Sequence, residues 1–143
     1  MTTTIPAQTE TTAAADEIQI VQTPPTIADA QLILQIQQTD AMSGAAYGWE
    51  LLRLFETPPT LGQLKKRHAP GSDEWRQINA FLASCETMAT FVKNGLLNEA
   101  LVNDVYWVKG AWASSEKICK GMRKEAGEPR LYENFERLAR NAP

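Results

Sequence analysis

The sequence predicts an all-α protein of five to six helices organised on a long antiparallel helical hairpin. Two apolar stripes carry this prediction, because their spacings alternate between three and four residues, which a strand period of two does not produce. The stripes are Trp75, Ile78, Leu82, Cys85, Ala89, Val92 and Leu96, then Leu101, Val105, Val108, Trp112, Ser115, Cys119, Met122 and Ala126. A short turn around Asn98 separates them, so helices of about residues 73–94 and 99–126 are expected to pack together.

The composition limits the class of protein. The chain has 143 residues, 43% of them hydrophobic, and a formal net charge of -3, which suits one domain with a single core. No lysine or arginine precedes Arg53, and no run of about 18 apolar residues occurs, so we expect neither a secretory signal nor a transmembrane segment. The chain is therefore predicted to be soluble and cytoplasmic.

The first 25 residues differ from the rest. They hold seven threonines, four alanines, three prolines and no aromatic residue, which is too little apolar surface to offset the entropy of ordering. We expect a disordered leader over residues 1–25 and a single helical domain over residues 26–141.

Capping signals divide the part before the hairpin into three helices. Thr26 and Asp29 match a capping box that opens a helix reaching about residue 38. A second helix is predicted over about residues 40–56. A short third helix over residues 60–67 begins with a second capping box, formed by a threonine and a glutamine.

Similar signals delimit the two hairpin helices. Ser72 is a suitable N-cap for the first of them, and Gly95 is predicted to end that helix in a left-handed conformation. Asn98 caps the second helix, and Gly127 ends it. A terminal helix is predicted over about residues 130–140.

Charges support a register for the hairpin. If opposed residue numbers sum to about 193, as a short turn requires, residues of opposite sign meet along the seam. The expected pairs are Arg76 with Glu116, Glu86 with Lys109, and Lys93 with Glu99. The same register puts Cys85 and Cys119 in the core, on the order of 16 Å apart at 1.5 Å per residue, too far for a disulfide.

Two regions are candidate partner-binding surfaces. In the first helix, Leu32, Ile33 and Ile36 belong to an apolar run wider than one stripe, so either other helices cover both sides or a homodimer covers the remainder. In the second hairpin helix, Trp107, Gly110 and Ser114 share a face with another glycine. Either the second or last helix packs closely there, or a groove accepts a partner helix or small ligand.

Catalytic signals are weak. His68 is the single histidine and adjoins a basic run rather than an acid that would orient it, and Glu86 and Glu116 each have an expected basic neighbour. No phosphate loop, nucleophile elbow or metal-spaced cysteine pair occurs. We therefore assign no catalytic, cofactor-binding or metal-binding residue.

The C-terminal region is basic and invites a second interpretation. Seven bases oppose four acids after residue 116, and the bases are Lys117, Lys120, Arg123, Lys124, Arg130, Arg137 and Arg140. They could contact phosphates or an acidic protein surface, or form a solvated face that opposes the helix dipole. Because no stacking platform or glycine-rich basic loop accompanies them, nucleic acid is not the expected partner.

Several segments resemble one family. The segment Phe91–Leu97, Trp112, Arg123 and the run Arg130–Glu136 are similar to a bacterial and phage family of small helical proteins, domain of unknown function 4760. The resemblance covers roughly residues 27–140 and implies a helical fold without an agreed activity. Many members begin with a membrane-spanning segment, where this chain has its Thr/Ala-rich leader, so the resemblance does not carry membrane attachment over.

Together these observations favour a non-enzymatic protein-interaction or regulatory module of bacterial or phage origin. One alternative is a nucleic-acid-associated protein that uses the basic C-terminal face. Another is a ligand-binding protein or enzyme with a site around Trp107, Arg123 and Tyr132. A protein partner, which includes a second copy of the chain, is the partner that we expect.

Overall fold

The computed structural model describes residues 23–143, and this part of the chain is all-helical, with no strand. It contains seven helices rather than the predicted five to six: α1 (Ile27–Ser43), α2 (Ala45–Arg53), α3 (Leu61–Arg67), α4 (Asp73–Lys93), α5 (Glu99–Val105), α6 (Val108–Ala126) and α7 (Glu133–Asn141). None of the helices in residues 23–143 combines the length and apolarity needed to cross a membrane. The leader predicted for residues 1–25 lies, except for its last three residues, outside the described residues.

Four of the helices begin at the N-cap residues that the sequence predicted. Each N-cap side chain accepts from a backbone N–H in the first turn and so satisfies a donor that the helix cannot pair internally. These residues are Thr26 of α1, Thr60 of α3, Ser72 of α4 and Asn98 of α5. Thr26 and Thr60 form the full capping boxes that the sequence predicted.

Glycines in the left-handed region end helices. Gly95 has φ 72°, and the N–H of Leu96 donates to the carbonyl of Phe91 at 2.9 Å, as predicted for the end of α4. Gly127, with φ 61°, ends α6 in the same way. The break between the first two helices is at Gly44, with φ 82°, and not near residue 39 as predicted.

The core surrounds α4, which packs against α1, α2 and α7. Ile78 and Leu82 of α4 are fully buried with Ile118 of α6 and Phe135 of α7. Where α2 crosses α4, a Cβ added at Gly48 would lie 2.1 Å from the backbone oxygen of Gln77, so only glycine allows this approach. The core therefore joins the two halves of the sequence.

The predicted second hairpin helix is interrupted, so the expectation of one helix over residues 99–126 is wrong. Tyr106 is extended, and Trp107 has φ -85° and ψ 75°, which separates α5 from α6. The side chain of Tyr106 is partly buried against the core, and this burial raises its pKa. The backbone of α4 is nearest to α2 and α7, and the hairpin organisation itself is not confirmed.

Without that register, the predicted ion pairs do not form. Arg76 binds Asp73 in its own helix, Glu116 binds Lys120 at 2.6 Å, and Glu86 is turned toward α7. Cys85 and Cys119 are buried free thiols, as predicted. Burial raises the pKa of both thiols, that of Cys119 to about 12.

Candidate interaction surface

Helix α1 turns one side toward the core. Ile33 is only 5% exposed, and the partly buried side chains of Leu32 and Ile36 pack against the same core. These three residues, named from the sequence as partner-binding, therefore lie on the inward side of the helix. They pack toward the core, and the exposed large apolar residues of α1 lie on the opposite side.

The opposite side of α1 exposes three large apolar residues. Ile27 is 79% exposed, Leu34 64% and Met42 82%. At about 100° per residue these side chains project from one side of the helix. Exposed alanine and glutamine residues fill the positions between them: Ala30, Gln31, Gln38 and Ala41. We call these seven residues the outer face of α1.

The outer face carries no charge, because the two charged residues of α1, Asp29 and Asp40, lie on a different side of the helix. The carboxylate of Asp29 accepts from the Thr26 N–H at 2.7 Å and from the Asn98 N–H at 3.0 Å. The Thr26 hydrogen bond is the main reason that the pKa of Asp29 lies below its ordinary value. Asp40 accepts from the Ser84 hydroxyl at 2.6 Å. Neither carboxylate disturbs the apolar character of the outer face.

Trp107 is exposed, and close neighbours lie against both glycines of the face where the sequence left either helix packing or a groove open. Its side chain is 74% exposed, and its ring covers Gly110 so closely that an added Cβ would lie 2.3 Å away. Farther along α6, Gly121 lies against Leu61 of α3, at 2.8 Å from the same hypothetical atom. The groups closest to the two glycines are thus Trp107 and helix α3. Ser114, which lies between the two glycines in the sequence, is partly buried.

Arg123 belongs to a different region, the junction of α6 and α7. Its Nε donates to the carbonyl of Leu131 at 2.7 Å, and its Nη1 lies 3.4 Å from the Glu136 carboxylate. The guanidinium sits 5.9 Å from the centre of the Trp112 ring. Arg123 lies sixteen positions after Trp107 along α6, roughly 24 Å at 1.5 Å per residue. The structure does not bring these two predicted site residues together.

Glu86 anchors the start of α7. Tyr132 precedes the helix with φ 60° and offers no capping side chain. The Glu86 carboxylate takes that role from α4, because it accepts from the Phe135 N–H at 2.8 Å and the Asn134 amide at 2.9 Å. A carboxylate also suits the positive end of the helix dipole.

Tyr132 and Phe135 complete this junction. Burial raises the pKa of Tyr132 to about 12, so its hydroxyl keeps its proton at neutral pH. Phe135 is fully buried and meets Trp112 edge to face, with ring centres 5.1 Å apart. The junction is a packed structural network whose polar groups are largely engaged with one another.

Intramolecular ion pairs occupy much of the basic C-terminal region. Lys120 binds Glu116 at 2.6 Å and Arg130 binds Glu133 at 3.0 Å. Arg123 and Arg140 share Glu136. Four of the seven bases after residue 116 thus have a carboxylate partner within this described segment, which weakens the positive field available to an outside phosphate.

The sequence prediction missed the outer face of α1, although one signal for it was present. Leu34 lies inside the apolar run of residues 32–36, whereas Ile27 and Met42 lie beyond it. The signal is the absence of charge from the whole exposed side of a helix of 17 residues.

Within residues 23–143, no group of three or more histidine, cysteine or acidic side chains could hold a metal ion.

Comparison with known proteins gives one match. The family model described as Domain of unknown function (DUF4760) matches residues 25–142, which include all seven helices of the described part. No curated protein and no solved structure gives a significant match. The match contains the α4–α5 turn and the junction of α7 on which the sequence resemblance depended.

Proposed function

We propose that this chain, which belongs to the DUF4760 family, is a non-enzymatic protein-interaction or regulatory module whose contact surface is the outer face of α1. The single observation behind this proposal is that Ile27, Leu34 and Met42 are exposed on one uncharged side of one helix. Apolar side chains exposed singly are normal on protein surfaces, but a shared apolar face indicates a contact site.

The energetics of burial support a contact of this kind. Covering apolar surface contributes about 25 cal/mol per Å², so three large side chains together can supply several kcal/mol of association energy. The glutamines between them can hydrogen-bond at the margin of a contact without the desolvation cost of a charge.

The two alternative functions have less structural support. Phosphate binding would have to compete with the ion pairs that hold Lys120, Arg130 and Arg123. A ligand site shared by Trp107 and Arg123 would have to span the length of α6, and Arg123 is already engaged at α7. The cytoplasmic location and the bacterial or phage origin stay predictions.

Site-specific photocrosslinking tests the proposal. The full chain with p-benzoylphenylalanine in place of Gln38, on the outer face, is irradiated in cells and in purified form, and adducts are identified by mass spectrometry. The matched control carries the same group at Lys117, an exposed position of α6. We expect protein adducts from position 38 that disappear when Leu34→Glu is added. Equal adducts from positions 38 and 117, or none from position 38, would refute the interaction surface.

A further inference from the structure

We infer that the partner of the α1 outer face is a second copy of the chain, with the two helices antiparallel across a two-fold axis at Leu34. This inference rests on the proposed function and names its partner. Its first support is the spacing of the outer face: Ile27 and Ala41 each lie seven residues, about two helical turns, from Leu34.

This spacing makes the outer face self-complementary in the antiparallel direction. Turning α1 end for end about Leu34 brings Leu34 opposite its own copy and Ile27 opposite Ala41. Ala30 then meets Gln38, so a small residue faces a larger one away from the axis, as close helix packing requires. Met42 follows Ala41 and extends the apolar contact beside Ile27.

Electrostatics allow this face to meet itself. Two copies that each carry a formal net charge of -3 repel over most of their surfaces. The outer face carries no like charges to repel at contact, since Asp29 and Asp40 lie on another side of α1 and are hydrogen-bonded there. Glutamine amides both donate and accept, so identical glutamines can pair with one another.

The antiparallel arrangement is also favoured over the parallel one. Parallel helices would bring like ends of two helix dipoles together, whereas antiparallel helices place opposite ends side by side. A two-fold contact uses the same patch on both copies and closes at a dimer. One helix pair is small beside standard interfaces of about 1,200–2,000 Å², so we expect a dissociation constant in the micromolar range.

Cysteine crosslinking tests the geometry. The native Cys85 and Cys119 are buried, so a cysteine placed on α1 is the reactive thiol. Under mild oxidation, Leu34→Cys should form a disulfide-linked dimer. Ile27→Cys alone should not, because its copy would lie roughly 21 Å away, but an equal mixture of Ile27→Cys and Ala41→Cys should crosslink. A dimer from Ile27→Cys alone would refute the antiparallel arrangement.

Sedimentation across a concentration series tests the dimer itself. The wild type should pass from monomer to dimer as its concentration rises through the micromolar range, and Leu34→Glu should weaken the association at least tenfold. The matched control is Ala83→Glu, which adds the same charge at an exposed position of α4 and should dimerise like the wild type. Circular dichroism establishes that each variant is folded.

The outcomes separate this inference from the proposed function. A wild type that stays monomeric at every concentration overturns the self-association. If position 38 then photocrosslinks to a different protein, the interaction module stands with another partner. If position 38 gives no adduct at all, both the proposed function and the partner inferred from it are wrong.

Discussion

Helices α1 and α7 differ in how many of their residues are buried. Three of the nine residues of α7 are buried, and side chains from α4 and α6 hold its first turn. Only Ile33 is buried among the 17 residues of α1. A helix that mainly completed the core would not need so much exposed apolar surface. The comparison indicates that α7 contributes mainly to the core, and it supports the contact role proposed for the outer face of α1.

The segment most recognisable as a family signature belongs to the stabilising helix. In the run Tyr132–Glu136, Glu133 pairs with Arg130, Asn134 binds Glu86, and Glu136 receives Arg123. These contacts lie within the chain. A recognisable motif can therefore mark the closure of a fold rather than its functional surface.

The largest expected change in the free energy of unfolding concerns Phe135. Phe135→Ala should lower the free energy of unfolding by about 3–5 kcal/mol, because it leaves a cavity beside Trp112. Leu34→Ala, measured at a concentration where the chain is monomeric, should change it by less than about 0.5 kcal/mol, as expected for an exposed position. Chemical denaturation gives both values. Similar losses for the two variants would mean that the outer face of α1 also supports the monomer.

A smaller effect should follow removal of the anchor of α7. Glu86→Ala leaves the Phe135 N–H without its acceptor and removes one of the two acceptors of the Asn134 side-chain amide, the other being the Thr90 hydroxyl, which should cost about 1–3 kcal/mol. Amide hydrogen exchange should then accelerate in α7 more than in α1. Thr87→Ala, at the exposed neighbouring position, is the control and should be nearly neutral. Uniform acceleration in both helices would contradict a local anchor.

The smallest effect concerns the first turn of α1 and depends on pH. Hydrogen bonding lowers the pKa of Asp29 in the folded chain from its ordinary 3.8, so its contribution to stability is present above that pH and is lost as pH falls through the folded pKa. Asp29→Asn should therefore melt at a lower temperature than wild type at pH 7. At a pH below the folded pKa, the difference should shrink. A difference that persists unchanged in acid would assign it to shape rather than charge.

Local chemistry was predictable from the sequence. The capping boxes at Thr26 and Thr60 and the left-handed Gly95 depend on residues within a few positions of one another, and all three formed as expected. The stripe that begins at Trp75 likewise gave a continuous α4. In each case a short pattern was enough, because no distant contact competes with it.

The interruption at Tyr106 was not predictable in the same way. Neither Pro nor Gly marks it, and the apolar spacing continues through Val105 and Val108. The break accompanies contacts made in the folded chain, in which the partly buried Tyr106 packs against the core and Trp107 folds over Gly110. Because the predicted register assumes an unbroken helix, it pairs Glu86 with Lys109, whereas in the structure Glu86 accepts from the N–H of Phe135 in α7. The spacing of apolar residues predicts each helix separately and does not predict which neighbouring helix a given side chain will contact.

The link between Glu86 and α7 also orders the assembly of the fold. Because synthesis proceeds from the N-terminus, the Glu86 carboxylate and the Trp112 ring exist before the residues that cover them. The Asn134 and Phe135 contacts to Glu86 bridge 48 and 49 positions of the chain, so they form only after a large loop has closed. Until then the pocket for Phe135 is open and Trp112 is exposed on that side. We therefore expect α7 to dock last among the described helices during biosynthesis, so that a nascent chain without it would present an unfinished core to chaperones and proteases.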